Sequence, residues 1–221
     1  MLSTENILII LFVISVIGLG LFLFFFIQSM VTENKLKKLG RVSRRNKKKY
    51  RRMKEETAAF NRKKITQIKI GVISLIVGVA FGLGGLYMKH YIATNMSSED
   101  TEVVVNGYYL IRDFEEQIEL AGKGTEDQDK LARNIKYLAN TMASYALYSA
   151  NPLNSEEGQL GLNRYYKSIQ ELGINHSVTY NQFYGNEDAV KETKKDIEKI
   201  KATEKKVYSY FGIDEAALKE K

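Results

Sequence analysis

Two long apolar runs enclose a strongly basic segment, and this arrangement restricts the chain more than any other feature of its sequence. The runs cover residues 7–27 and 70–88, and neither contains a charged residue. A helix of about 20 apolar residues is long enough to cross the hydrocarbon core of a bilayer. We therefore predict two transmembrane helices, over residues 7–30 and 65–92.

The segment between the runs sets the expected orientation. Residues 31–64 contain fifteen Lys or Arg and three Glu, and positively charged loops remain on the cytoplasmic side of a membrane. Residues 1–6 and 93–221 are then expected outside the cytoplasm, with the chain in the plasma membrane.

The basic residues have a second possible role besides setting topology. Anionic lipid headgroups or a partner protein are expected to dock on a cluster of seven cations: Arg44, Arg45, Lys47, Lys48, Lys49, Arg51 and Arg52. Nucleic acid is not the expected partner, because the segment has too few aromatic residues to stack bases.

Small residues follow one face of the second apolar run. The set is Gly71, Ser74, Gly78, Gly82 and Gly85, spaced three, four, four and three residues apart, and it contains a GxxxG motif. Small residues allow helix backbones to approach closely in lipid. We name this set the glycine face and expect it to pack against another helix: the first span, a second copy or another membrane protein. The first run offers only Ser15 and Gly18 as a short matching patch.

Residues 93–221 have the length of one small domain, and their pattern predicts helices. We expect an antiparallel bundle of three to four helices, so that the whole chain is an all-α membrane protein. The predicted helices are 98–121, 125–150, 155–172 and 186–211, with a Thr125-x-x-Gln128 capping box at the start of the second and Gly173 as the stop of the third.

Residues 102–111 leave an alternative open. Three valines followed by Asn106-Gly107 and two tyrosines are also typical of a β-hairpin with an Asn-Gly turn. The apolar spacing that continues through Ile111, Phe114 and Ile118 favours a helix.

Tyrosines suggest where a partner would bind. Eleven of the fourteen lie in residues 93–221, and an aromatic, polar stretch of irregular structure is expected at residues 175–185. Long connections of this kind are often functional, so Tyr180, Phe183 and Tyr184 are the candidate partner contacts. The alternative is that most tyrosines lie at the edge of the core.

The sequence contains no motif for catalysis. There is no Cys, and His90 and His176 are the only histidines; we therefore expect no enzymatic activity, cofactor or metal. The expected function is a scaffold or accessory subunit of a bacterial cell-envelope assembly, such as a secretion, division or wall-synthesis complex. Alternatives are an outer binding or immunity module for a peptide or toxin, and a membrane tether for nucleic acid. The lack of Cys outside the cytoplasm fits a Gram-positive bacterium.

Overall fold

The computed structural model describes residues 4–39 and 47–219, and the regular elements in these ranges are helices without any β-strand. The chain divides into two compact units, Met1–His90 and Tyr91–Lys221. This confirms the predicted all-helical fold. The helices are α1 Thr4–Lys38, α2 Lys47–Thr94, α3 Ser98–Lys123, α4 Gln128–Ala143, α5 Glu156–Ser177, α6 Glu187–Phe211 and α7 Glu215–Lys219.

Helices α1 and α2 are both long and apolar enough to cross a membrane. They contain 35 and 48 residues, so each extends beyond its apolar run. Large apolar side chains cover their outer surfaces; Val16 is 68% exposed and Ile76 is 62% exposed. The basic residues from Lys47 onward belong to the same helix as the second apolar run.

Helices α3 to α6 form an up-and-down bundle in which α3 and α5 each pack against α4 and α6, which confirms the predicted helical bundle. At the end where the chain arrives from α2, Ser155 N donates to Ala93 O at 3.0 Å. We call this the proximal end, formed by residues 91–103 and 144–158. At the opposite, distal end, Gly185 N donates to Ala121 O at 2.9 Å.

Residues 102–111 are helical throughout, and Gly107 lies where α3 meets α5. A β-carbon on Gly107 would lie 2.9 Å from both Ile169 Cδ1 and Tyr165 Oη. The Asn-Gly pair therefore allows close helix packing and does not form a turn.

The predicted boundaries of the second bundle helix are wrong at both ends. Asp127 caps α4, since its carboxylate accepts from Lys130 N at 2.6 Å; Thr125 lies outside the helix. Asp is at least as good a helix cap as Thr, and Asp127 directly precedes the first residue of α4. The helix therefore begins after Asp127, and the expected capping box at Thr125 does not form. The helix ends at Ala143, and a 3₁₀ turn, Ser144–Leu147, follows it.

Gly173 does not stop the third bundle helix, because α5 continues to Ser177. Gly173 instead marks the place where α5 touches α4: a β-carbon on it would lie 2.6 Å from the carbonyl oxygen of Ala139. Residues 175–185, expected to be irregular, are the last turn of α5 and a 3₁₀ turn, Tyr180–Phe183.

The bundle core is a single cluster of aliphatic and aromatic side chains from all four helices. Fully buried members include Phe114, Ile118, Leu131, Ile135, Met142, Leu162, Tyr165, Ile169, Phe183 and Ile197. Leu138 is only partly buried, whereas the next residue, Ala139, is fully buried.

Candidate functional sites

The glycine face of α2 lies against α1, and the two backbones come closest where Gly18 meets Gly78. A β-carbon on Gly18 would lie 2.8 Å from Gly78 Cα and 3.0 Å from the carbonyl oxygen of Ser74. These distances leave room only for hydrogen atoms, which is why both helices carry glycine here.

Serine and aromatic side chains of α1 cover the rest of the glycine face. A β-carbon on Gly82 would lie 2.8 Å from Ser15 Oγ, and one on Gly85 would lie 3.5 Å from Phe12 Cζ. A β-carbon on Gly71 would lie 3.5 Å from Phe25 Cβ. The first helix therefore meets the whole face, more of it than its short patch of small residues suggested, because aromatic rings fill the wider gaps.

A signal for this seam is present in the sequence of α1, although the apolar run conceals it. The buried residues of α1 are Leu8, Ser15, Gly18, Ser29 and Thr32. Leu8, Ser15 and Ser29 follow one another after seven and fourteen residues, and Gly18 and Thr32 lie fourteen residues apart. A seven-residue period in the residues that face another helix is typical of paired helices. This period, which the matching patch of Ser15 and Gly18 represents only in part, could have identified α1 as the partner of the glycine face.

Polar contacts extend the seam beyond the apolar runs. Thr32 Oγ1 donates to Gln67 Oε1 at 3.0 Å in a buried position. One turn further, Lys64 Nζ lies 3.0 Å from Glu33, which also pairs with Lys37. These hydrogen bonds lower the pKa of Glu33.

The seven cations proposed for lipid or partner docking divide into two groups. Arg44 and Arg45 lie outside the described residues. The other five, Lys47, Lys48, Lys49, Arg51 and Arg52, are exposed on the first two turns of α2. The structure does not gather them into a pocket within the described residues; they lie on the exposed surface of the helix.

The proposed aromatic contact stretch is largely a structural element. Phe183 is fully buried, with its ring centroid 5.3 Å from His176 and 6.3 Å from Phe114, so its side chain is part of the core and not of the bundle surface. Tyr184 is partly buried and its hydroxyl donates to the carbonyl oxygens of Gly124 and Glu126 at 3.1 Å. Tyr180 is partly exposed, with Lys136 Nζ 4.9 Å from its ring centroid. The stretch closes the distal end because its aromatic rings fill the gap between α3 and α5.

A buried carboxylate holds the proximal end together. Asp100 is 3% exposed and accepts hydrogen bonds from Ser97 Oγ, Tyr166 Oη, Asn151 N and Asn154 Nδ2 at 2.7–3.2 Å. Burial and the charge of Asp100 raise the pKa of Tyr166, so this phenol remains a neutral donor.

A second buried carboxylate lies midway along α6. Glu204 is 1% exposed; Arg112 binds it through two nitrogens at 2.8 and 3.2 Å, and Tyr165 donates to it at 2.9 Å. Burial by itself would lower the pKa of the Arg112 guanidinium. The hydrogen bonds to Glu204 and the charge of this carboxylate outweigh the effect of burial, so the pKa is raised. This ion pair joins α3 to α6, and both carboxylate oxygens of Glu204 accept hydrogen bonds within it.

An open groove runs between α5 and α6 near the proximal end. Its volume is about 410 Å³, and its floor is made by Gly158, Gly161 and Val207. The β-carbon that Gly161 lacks would meet only Val207 Cγ2, at 3.8 Å, so packing does not require glycine there. The missing side chain instead leaves the floor of the groove open.

Two cations and one carboxylate, that of Glu157, line this groove. Arg164 and Lys206 are exposed lining residues, and neither forms an ion pair with a described residue. Leu160, 49% exposed, and Tyr210, whose hydroxyl is hydrogen-bonded to Ser155, provide apolar walls. The groove combines apolar surface with two cations and one anion, so a net positive charge remains, which suits an acidic peptide segment.

No group of three His, Cys, Asp or Glu side chains with metal-binding geometry occurs among the described residues. No protein-family model, curated protein or solved structure matches this chain.

Proposed function

We propose that this chain is a non-enzymatic membrane protein that acts as a scaffold or accessory subunit of a bacterial cell-envelope assembly. In this proposal α1 and α2 form a transmembrane hairpin with its basic segment in the cytoplasm. The bundle lies outside the cytoplasm and recruits another membrane protein through an acidic segment of that partner.

The hairpin itself supports placement in a membrane. Its apolar runs expose large aliphatic and aromatic side chains around a seam made of glycine and serine. Outside lipid, an exposed apolar surface of this extent would promote aggregation. The glycine face is occupied by α1, so it does not support recruitment of a partner helix.

The α5–α6 groove is the observation that carries the proposed role. The buried carboxylates Asp100 and Glu204 are engaged in bonds that hold helices together. In contrast, Arg164 and Lys206 stand without an ion-pair partner among the described residues, beside an apolar floor. A partner that contributes carboxylates would compensate both charges, and a groove of this size accommodates several side chains of a peptide.

The test is co-purification of the full-length chain from its own membranes in mild detergent. We expect it to migrate within a complex larger than the chain, and the variant Arg164→Glu with Lys206→Glu should lose that complex. A matched control, Arg133→Glu with Lys195→Glu, makes the same charge change at residues outside the groove and should retain it.

A chain that always migrates at its own mass would refute the accessory-subunit proposal. A complex that survives the groove variant, but is lost when Lys47–Lys49, Arg51 and Arg52 are changed to Gln, would place the docking site on the basic helix instead. Capture of a secreted peptide in place of a membrane protein would favour the binding-module alternative.

A further inference from the structure

We propose that the proximal end of the bundle carries a membrane-contacting tip: the 3₁₀ turn Ser144–Leu147 together with Tyr148. Leu147 inserts shallowly into the outer leaflet of the bilayer, and Tyr148 lies at headgroup depth. The inference rests on the proposed membrane placement of α1 and α2. The tip contacts the lipid of the same bilayer that these two helices would span.

Leu147 has the largest exposed fraction of the large hydrophobic side chains in the described residues. It is 85% exposed, and Tyr148 beside it is 45% exposed. The turn that presents them is held firmly, because the buried Tyr145 donates its hydroxyl to Val103 O at 2.9 Å. The Tyr145 and Tyr148 rings also pack edge to face, with centroids 5.1 Å apart. The exposure of Leu147 is therefore a fixed property of the fold.

The surrounding sequence is free of charge. No Asp, Glu, Lys or Arg occurs from Tyr137 to Ser155, nineteen residues in a domain that is otherwise densely charged. Shallow insertion requires the absence of charge at the tip, and a tyrosine beside an aliphatic residue is typical of segments at the membrane interface. Exposed acids at the same end, Glu99 and Glu156, restrict the insertion to the tip.

The tip belongs to the end of the bundle that follows the second apolar run most directly along the chain. Ser155 N is hydrogen-bonded to Ala93 O, and Ala93 follows Met88, the last residue of the apolar run, by only five positions. Five residues reach at most about 17 Å even when fully extended. Tyr148 packs on Tyr166, whose hydroxyl binds Asp100 at this same end. The proximal end is therefore connected to the second apolar run by a short length of chain.

The chain provides a matched comparison at the distal end. Val178 is 80% exposed and follows the last residue of α5, whereas the tip precedes the start of that helix. Both residues are aliphatic and exposed, and each lies in a stretch of sequence without Asp, Glu, Lys or Arg, residues 137–155 and 172–186. They differ in which end of the bundle they occupy, so lipid contact should distinguish them.

The experiment uses the full-length chain, which has no native Cys, in vesicles of phosphatidylcholine and phosphatidylglycerol. Single-cysteine variants Leu147→Cys, Val178→Cys and Val16→Cys are labelled with an environment-sensitive fluorophore. Lipids carrying a nitroxide at a shallow or a deep position then quench the label. We expect the label at 147 to be blue-shifted and to lose most of its fluorescence to the shallow quencher. The label at 178 should remain unquenched.

The Val16→Cys variant separates the two proposals, because residue 16 lies in the first apolar run. If its label is quenched by the deep nitroxide but the label at 147 is quenched no more than the one at 178, the tip is refuted and the membrane placement stands. If the label at 16 is not quenched either, both proposals are refuted.

Discussion

Two glycines of α5 occupy positions that differ in what a β-carbon would meet. At Gly173 it would lie 2.6 Å from the carbonyl oxygen of Ala139, a backbone atom that cannot move aside. At Gly161 its neighbour would be Val207 Cγ2 at 3.8 Å, an ordinary contact. The same substitution should therefore have opposite effects at the two sites.

We predict that Gly173→Ala destabilises the bundle by about 3 kcal/mol or more, because α4 and α5 must move apart. Gly161→Ala should stabilise it by about 1 kcal/mol, since alanine favours a helix interior. Thermal unfolding followed by near-ultraviolet circular dichroism measures both, because eleven of the fourteen tyrosines report on the bundle and the chain has no Trp. Equal melting temperatures for the two variants would contradict the packing of α5 on α4.

His176 gives the bundle a dependence on pH. It lies between Phe114 and Phe183, with ring centroids 5.7 and 5.3 Å away. Burial lowers its pKa below the usual value near 6.5, and the charge of Asp196 offsets this only in part. The unfolded chain therefore binds a proton at a higher pH than the folded chain does. The stability that neutral His176 contributes is complete above the unfolded pKa and is lost as the pH falls below it.

We predict that the melting temperature of the bundle falls between about pH 7.5 and pH 5.5, and that His176→Leu removes most of this fall. Leucine retains the apolar contact with the two rings and cannot be protonated. His90→Leu is the control, because it removes the other histidine of the chain, which lies outside the bundle. An unaltered pH profile in the His176 variant would show that other groups cause it.

At the scale of helices, the seam between α1 and α2 allows a direct geometric test. A β-carbon on Gly82 would lie 3.7 Å from Ser15 Cβ, within the range of about 3.5–4.5 Å that disulfides require. We predict that Ser15→Cys with Gly82→Cys forms an intramolecular disulfide under mild oxidation. The product is a faster-migrating monomer on a non-reducing gel.

The control pair for this crosslink is Gly20→Cys with Gly84→Cys. These two glycines lie in the same helices, but a β-carbon on either has no described atom within 4 Å, so the pair should remain reduced within one chain. Disulfide-linked dimers of the Ser15–Gly82 variant, without the fast monomer, would mean that the glycine face joins two copies.

At the scale of the whole molecule, orientation follows from the placement of charge. We predict that a reporter that is active only outside the cytoplasm functions when fused after Lys221 and fails when inserted near Lys48. Changing Lys47–Lys49, Arg51 and Arg52 to Gln should produce chains of mixed orientation, because positively charged segments favour the cytoplasmic side of a membrane. Reporter activity at both positions in the unaltered chain would overturn the proposed topology.

The helical segments of this chain could be predicted from local sequence patterns. Run length and apolar period identified α1, α2 and the bundle helices, and the acceptor side chains Ser97, Ser155 and Asn186 cap α3, α5 and α6 as their local pattern indicates. These properties depend on neighbours three or four residues away, so a linear pattern contains them. The seven-residue period of α1 is also a property of the linear sequence.

The role of individual glycines and aromatic residues, in contrast, depends on tertiary packing. Gly173 was expected to end a helix and instead touches α4, and Phe183 was expected at the surface and lies in the core. The groove beside Gly161 and the exposed Leu147 had no distinguishing local pattern. Burial and contact depend on how closely two backbones approach, and that distance is set by residues far apart in the chain.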